Sequence, residues 1–408
     1  MAVLDIAAFT NALKVLYPKG LTELWYENSP FAAWVPKSED FEGASKQIRP
    51  IFTGIRGSTD FSTALNAQSV PQIRDFTVTR VKDYVLGSID NETLMASRSQ
   101  KGAVAKAVDT QIKAAMYTFG RSTAYQCWRN GGGARGQIGT APAGTPTITL
   151  ANTNDVVNFE VGMVVQTATT DGTSGAVNLG KATIAAIDRD AGTITVLGDW
   201  DAAGNIPAVA LNDFIFREGD FGNCLAGVLG WVPTTAPTAG DNFFGVDRSV
   251  DPVRLAGSRV SGAGKTIEEA VFDAQAQASI NGGRVDTLWM GSKRYAELCK
   301  SLQAKTTYEK ANVKSDDGSV GFGGFTFAGE RGPVTVVADP NCPNELGLLT
   351  RKGAWELCGL GKMPHFSQED GLKFTRLNTA DAIQFRLKAY WQMVCHRPVD
   401  NVLISWDA

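Results

Sequence analysis

The chain has 408 residues, 43% hydrophobic and 20% charged, with 39 Lys+Arg against 42 Asp+Glu and a formal net charge of −3. That length supports two or three domains with their own cores, and the composition is that of an ordinary globular protein. Acidic and basic residues are interspersed without a Lys/Arg-rich arm, which argues against nucleic-acid binding driven by phosphate neutralisation.

The first twenty residues, MAVLDIAAFTNALKVLYPKG, carry Asp5 early and lack a basic segment and a small-residue cleavage site, so they do not read as a secretory signal. Val3, Leu4, Ile6, Ala7, Leu13 and Leu16 instead fit a short amphipathic helix stopped near Pro18. No uncharged apolar run approaches membrane-spanning length. The six cysteines (Cys127, Cys224, Cys299, Cys342, Cys358, Cys395) form no CxxC pair, which suits reduced thiols better than a disulfide scaffold.

Residues 41–91 predict an extended β-hairpin. Its arms are Ser45–Ile55 and Gln72–Ile89, joined by a polar tip rich in Gly, Ser, Thr and Asn. Lys46, Arg49, Arg74, Asp75, Arg80, Lys82 and Asp83 interrupt both faces, so the ribbon has no apolar face of its own. A two-stranded ribbon of this kind is marginal in water and needs something to lie on. A second copy of the same chain is the expected support.

Residues 92–130 predict one long helix. Val104, Val108, Ile112, Ala115, Met116 and Phe119 recur at three- and four-residue steps, and Gly131-Gly132-Gly133 ends the run. Such a length exceeds the usual helix and marks a structural spine. Residues 131–220 then change composition to Thr, Val, Ile, Gly, Asp and Asn, with strand candidates at Thr147–Leu150, Met163–Ala168, Ala182–Asp188 and Thr193–Leu197. This reads as an inserted all-β domain whose two ends lie close together.

From 221 to 370 the pattern is mixed. Thr266–Ile280 predicts a helix with a capping box between Thr266 and Glu269, and Val285–Met290 a buried strand. A helix over Lys293–Leu302, capped by Ser292, and strands at Pro333–Ala338 and Leu346–Thr350 follow. The final segment, 371–408, alternates over Ala382–Val394 and ends in the apolar Asn401–Ile404. The fold class is therefore α+β.

Catalytic chemistry has few residues to be built from, and no catalytic, cofactor-binding or metal site residue is assigned. Ser261–Thr266 (SGAGKT) contains Gly264-Lys265-Thr266, but Arg259 stands where a phosphate loop needs its first glycine, and no buried strand clearly precedes it. The capping box accounts for Thr266. The two histidines, His365 and His396, sit near Cys358 and Cys395 without finger or ribbon spacing. In Gly321–Phe327 (GFGGFTF) Thr326 occupies the position of the third glycine of a dinucleotide fingerprint. Asp316-Asp317 lacks calcium-loop spacing.

The order of arm, hairpin, spine helix, α/β domain and closing strands resembles the major capsid protein of tailed bacteriophages, the Hong Kong-type fold shared with the herpesvirus capsid floor. Ala270–Leu302, Cys224–Pro233 (CLAGVLGWVP) and Ile383–Ile404 carry the likeness. The resemblance implies an N-terminal arm over 1–40, an intersubunit hairpin over 41–91 and a peripheral domain made of the spine helix (92–130) with the closing strands (371–408). It also implies an axial domain over 221–370 and an outward-facing insert. It further implies a homo-oligomer of pentamers and hexamers forming an icosahedral virion shell, assembled in the bacterial cytoplasm. That shell would enclose double-stranded DNA without sequence-specific binding, involve no membrane and no cofactor, and work with scaffolding, portal and decoration proteins. The family's crosslinking residues find no match here. The alternatives are another virion component such as a tail-tube subunit, a phosphate-binding enzyme using Gly264-Lys265-Thr266, and a secreted β-rich binding module.

Overall fold

The computed structural model describes residues 30–41, 43, 45–48, 56–69, 74–91, 101–305, 326–367, 374–376 and 381–406, with backbone alone over 101–110 and 302–305. The helix expected before Pro18, most of the first hairpin arm beyond Ile48, the start of the second, the predicted spine residues 92–100, Asp316-Asp317 and Gly321–Phe325 lie outside the described residues. The chain divides into two compact units: Tyr125–Gly230, and Met1–Ala124 together with Trp231–Ala408.

The discontinuous unit is organised around one strand, Ala382–Cys395. Along one edge it pairs antiparallel with Val81–Asp90, from Ala382↔Asp90 to Trp391↔Val81. Its other edge takes Phe374–Arg376, His365–Phe366 and Trp355–Gly359 in turn, and Lys37–Ser38 adds parallel to the last of these. The spine helix spans Lys101–Gln126. Its buried Ile112, Ala115, Met116 and Phe119 are the stripe that the spacing predicts, and the Phe119 ring lies 5.3 Å from that of Trp391.

This sheet corrects the expected hairpin. Among the described residues, the two arms pair with each other over Ser45–Ile48 and Phe76–Thr79. The rest of the second arm, Val81–Asp90, is a ladder strand of the subunit's own sheet. An alternating ten-residue strand satisfies more backbone groups against the fourteen-residue Ala382–Cys395 than against a charged ribbon. Gly87 faces Phe385 in this ladder, where a Cβ would stand 2.2 Å from the ring. The glycine is what lets the aromatic ring cross the strand.

A second sheet of six strands has the order Ser258–Ser261, Val402–Ser405, Leu346–Thr350, Thr287–Met290, Gly332–Ala338, Thr326–Gly329. Helix Ile267–Ile280 buries Ala270, Val271, Ala274 and Ala278 against Leu288, Met290, Val336, Leu349 and Ile404. Each fully buried Val or Leu here contributes roughly 1.5–3 kcal/mol. Two expected assignments are corrected. The closing Val402–Ser405 belongs to this α/β sheet, not to the peripheral strands, because its continuous apolar run suits a strand covered on both faces. Trp355–Gly359, expected in the axial segment, joins Ala382–Cys395 instead. The helix predicted from Lys293 begins at Ser292, and its capping oxygen comes from Asn344, whose side chain accepts from the Lys293 amide at 3.2 Å.

The unit Tyr125–Gly230 is a six-stranded antiparallel sheet in the order Gly136–Gln137, Phe214–Arg217, Val164–Ala168, Ala182–Asp188, Thr193–Val196, Thr147–Thr149. Ile187↔Ile194 and Asp188↔Thr193 close a hairpin around Asp190-Ala191-Gly192. Ile138, Phe159, Val165, Ile194, Trp200 and Ile215 have no exposed surface and form its core. The incoming and outgoing segments meet: the Gly222 amide donates to the Gly132 carbonyl at 2.9 Å, and Val228 to Cys127 at 2.8 Å.

Candidate functional site

The hairpin root is a small, dense aromatic anchor. Antiparallel pairing from Ser45↔Thr79 to Ile48↔Phe76 turns Ile48, Phe76 and Val78 inward, and all three are buried. The Phe76 ring meets Trp231 edge-on at 5.2 Å, and Trp231 packs on Phe243 at 5.1 Å and on Phe244 at 5.6 Å. The Trp231 indole donates to the Met393 carbonyl at 3.0 Å, which ties the root to the long strand. Sequence reasoning treated the ribbon as coreless and missed this anchor. The signal was present in the Phe243-Phe244 pair and in alternate Ile48, Phe76 and Val78.

On the same face of the root, beside Ile48 and opposite its cross-strand partner Val78, Lys46 reaches the sheet built on Ala382–Cys395. Its ammonium donates to both Glu356 oxygens at 3.2 and 3.1 Å and lies 3.1 Å from the Cys358 sulfur. His396 shares Glu356 through Nε2 at 2.6 Å. The His396 contact first, then the Lys46 ammonium, hold the Glu356 carboxyl well below its ordinary range despite partial burial. Burial alone would lower Lys46, but Cys358 and Glu356 together hold it above its usual value. Burial pushes the Cys358 thiol up. The grouping ties a charged ribbon to its own subunit.

The tip has the opposite character. Arg56 donates its amide to the Ser69 hydroxyl at 2.9 Å, closing the loop that carries helix Phe61–Asn66. Asp60 caps this helix, accepting from the Thr63 amide at 2.8 Å and its hydroxyl at 2.7 Å. Hydrogen bonds from Ser62 and Thr63 draw the Asp60 carboxyl down to about 2. Phe61 and Leu65, one helical turn apart, are 80% and 53% exposed. The capped helix thus presents two large apolar residues to water.

Of the residues weighed for chemistry, Cys358 and His396 both meet the Lys46–Glu356 pair, and the rest lie elsewhere. Lys265 pairs with Asp273 at 2.8 Å, and Thr266 and Glu269 complete the capping box by bonds of 2.8 and 3.3 Å. A strand, Ser258–Ser261, precedes the motif, but only Ser258 in it is buried. Arg259 within it donates to the carbonyls of Pro233, Gly257 and Ala256, and burial with the nearby Arg248 pushes it down to about 10. His365 faces the Lys362 carbonyl at 2.6 Å, and Cys395 accepts from Asn401 at 3.3 Å, so neither His–Cys pair converges on one point. Among the described residues no three His, Cys, Asp or Glu side chains gather as a metal site, and no helix is long and apolar enough to cross a membrane.

The sheet built on Ala382–Cys395 with its spine helix, the α/β sheet and the hairpin root make up an α+β fold, and a phage capsid chain shares it. The chain superimposes on one from the "Cyanophage A-1(L) capsid asymmetric unit" with a TM-score of 0.55, over 93% of this chain and 92% of that one, at 11% identity. Weaker similarity extends to the "Capsid of native GTA particle" (TM-score 0.45, 10% identity, 90% and 86% covered) and to "Gordonia phage Cozz" (0.43, 9%, 93% and 86%). No family model and no curated protein matches the sequence.

Proposed function

We propose that this chain is the major shell subunit of a tailed-phage head, a structural protein and not an enzyme. The observation that carries the reading is the contrast within the hairpin: its root is buried in its own subunit, while its tip displays Phe61 and Leu65 on a capped helix. The shared fold with a cyanophage capsid chain supports it. A closed shell repeats one set of contacts around its symmetry axes, so an arm seated on a neighbour is used in every ring of five or six. The near-neutral charge suits a container that encloses double-stranded DNA without gripping it. On this reading the unit Tyr125–Gly230 is an outward-facing insert, and assembly draws on scaffolding, portal and decoration partners in the host cytoplasm.

Negative-stain electron microscopy of the expressed chain tests the proposal. Rings, tubes or closed shells are expected, and a persistent monomer under every assembly condition would refute it.

A further inference from the structure

The unit Tyr125–Gly230 contains a cavity of about 280 Å³ that the shell role does not use. Its walls come from the turn after the spine helix, the first strand of the sheet, the Ala151–Asp155 segment and the loop at Asp171. Arg129 reaches Asp155 at 2.8 Å across it, and Asn130 donates to Asp171 at 2.6 Å. Gln137 lines the same space with its amide oriented by donation to the Asn212 carbonyl at 2.8 Å. Phe214, half-buried, adds an aromatic surface.

The frame around these groups is rigid. Gly132 and Gly172 approach so closely that a Cβ on the first would stand 2.1 Å from the Asp171 carbonyl oxygen, and one on the second 2.0 Å from that of Gly132. Gly172 also takes φ +90°, which disfavours side-chain-bearing residues. The glycine run that ends the spine thus lets one cavity wall close against the next. A wall set in advance lowers the ordering cost of binding.

The lining selects the ligand by elimination. Two carboxylates against one guanidinium leave the cavity net negative, which disfavours anions. No third His, Cys, Asp or Glu joins the two carboxylates among the described residues, and both are already engaged, Asp155 by the Arg129 guanidinium and Asp171 by Asn130, which disfavours a cation. Guanidinium and amide donors interleaved with carboxylate and amide acceptors match hydroxyl groups, which both donate and accept. An aromatic face beside them matches the C–H face of a sugar ring. The volume lies just below the range of drug-sized pockets, which fits a single ring.

We propose that this cavity binds one neutral hexopyranose, with Arg129, Gln137, Asp155 and Asp171 taking its hydroxyls and Phe214 packing on its C–H face. Single-site affinity for so small a ligand is weak, with Kd on the order of 1 mM. If the chain forms shells as proposed above, many copies raise the avidity for a saccharide-bearing surface by roughly 10²–10⁴.

The test uses the 408-residue chain before assembly, so its outcome does not depend on shell formation. Methyl glucoside, methyl galactoside and methyl N-acetylglucosaminide are titrated by saturation-transfer NMR, with glucuronate as the anionic control. At least one neutral glycoside is expected to saturate, and glucuronate to bind more weakly. Ala151→Trp places a large ring at an exposed lining position and is expected to weaken binding at least about tenfold without lowering the melting temperature. Gln137→Ala serves as the second variant and is expected to weaken binding while leaving the fold intact. No saturable glycoside, glucuronate bound as well as the neutral sugars, or binding unchanged in a folded variant would each overturn the proposal.

Discussion

Replacing Phe61 and Leu65 together by serine separates folding from assembly. Both side chains lie mainly in water within the subunit, at 80% and 53% exposure, so their loss should change subunit stability by no more than about 0.5 kcal/mol. Asp60 and Thr63 are untouched, so the tip helix keeps its cap. Burial against a neighbour is a different matter. Full burial of a Phe or Leu side chain is worth roughly 1.5–3 kcal/mol, and scaling by the two exposures gives about 2 and about 1 kcal/mol. The pair then contributes about 3 kcal/mol per contact, which is about a hundredfold in the association constant. The assay is the concentration at which light scattering first reports assembly, with a urea melt of the unassembled subunit beside it. The variant should need about a hundredfold more protein to assemble while melting like the parent. Assembly at the parent's concentration would refute the reasoning, and so would a subunit destabilised by the same 3 kcal/mol or so.

Phe76→Ala attacks the root instead. Its fully buried ring lies against Trp231, so the loss should be about 3–5 kcal/mol of subunit stability, read as a shift in the urea midpoint. Replacing residues 134–221 by a short Gly-Ser linker should leave a cooperatively folding remainder by circular dichroism, because Gly132 and Gly222 already meet through a 2.9 Å hydrogen bond. Glu356 carries the acid dependence of the root. Its carboxyl is held down first by the His396 hydrogen bond, so its stabilisation is fully present above its ordinary value near 4.5 and fades as pH falls toward the folded-state value. Glu356→Gln should therefore lower stability at neutral pH and flatten the decline in unfolding free energy on acidification, measured by urea titration. An unchanged acid slope would assign that decline to other carboxylates.

Much of the local structure was legible in the chain. The spine stripe of Ile112, Ala115, Met116 and Phe119, the Thr266–Glu269 capping box and the strands from Val164 to Val196 all follow from periodicity and cap chemistry, which act within a few residues. Partner choice was not legible. The alternation of Val81–Asp90 marks a strand with one buried face, but it does not say whether Ser45–Ile55 or Ala382–Cys395 lies beside it. The same limit hid the crossing of Val402–Ser405 into the α/β sheet, since its apolar run fits any doubly covered position. The root anchor escaped because Phe76, Trp231 and Phe243 are far apart in sequence and meet only through the fold. The sugar-sized cavity escaped for the same reason: Arg129, Gln137, Asp171 and Phe214 belong to four separate segments.

The central claim is that the hairpin tip finds its apolar partner on a second copy of the chain. A cryo-electron microscopy reconstruction of assembled particles tests it directly. The helix Phe61–Asn66 is expected to sit on a neighbouring subunit, with Phe61 and Leu65 excluded from solvent. Tips standing free in solvent, or folded back on their own subunits in a closed particle, would contradict it.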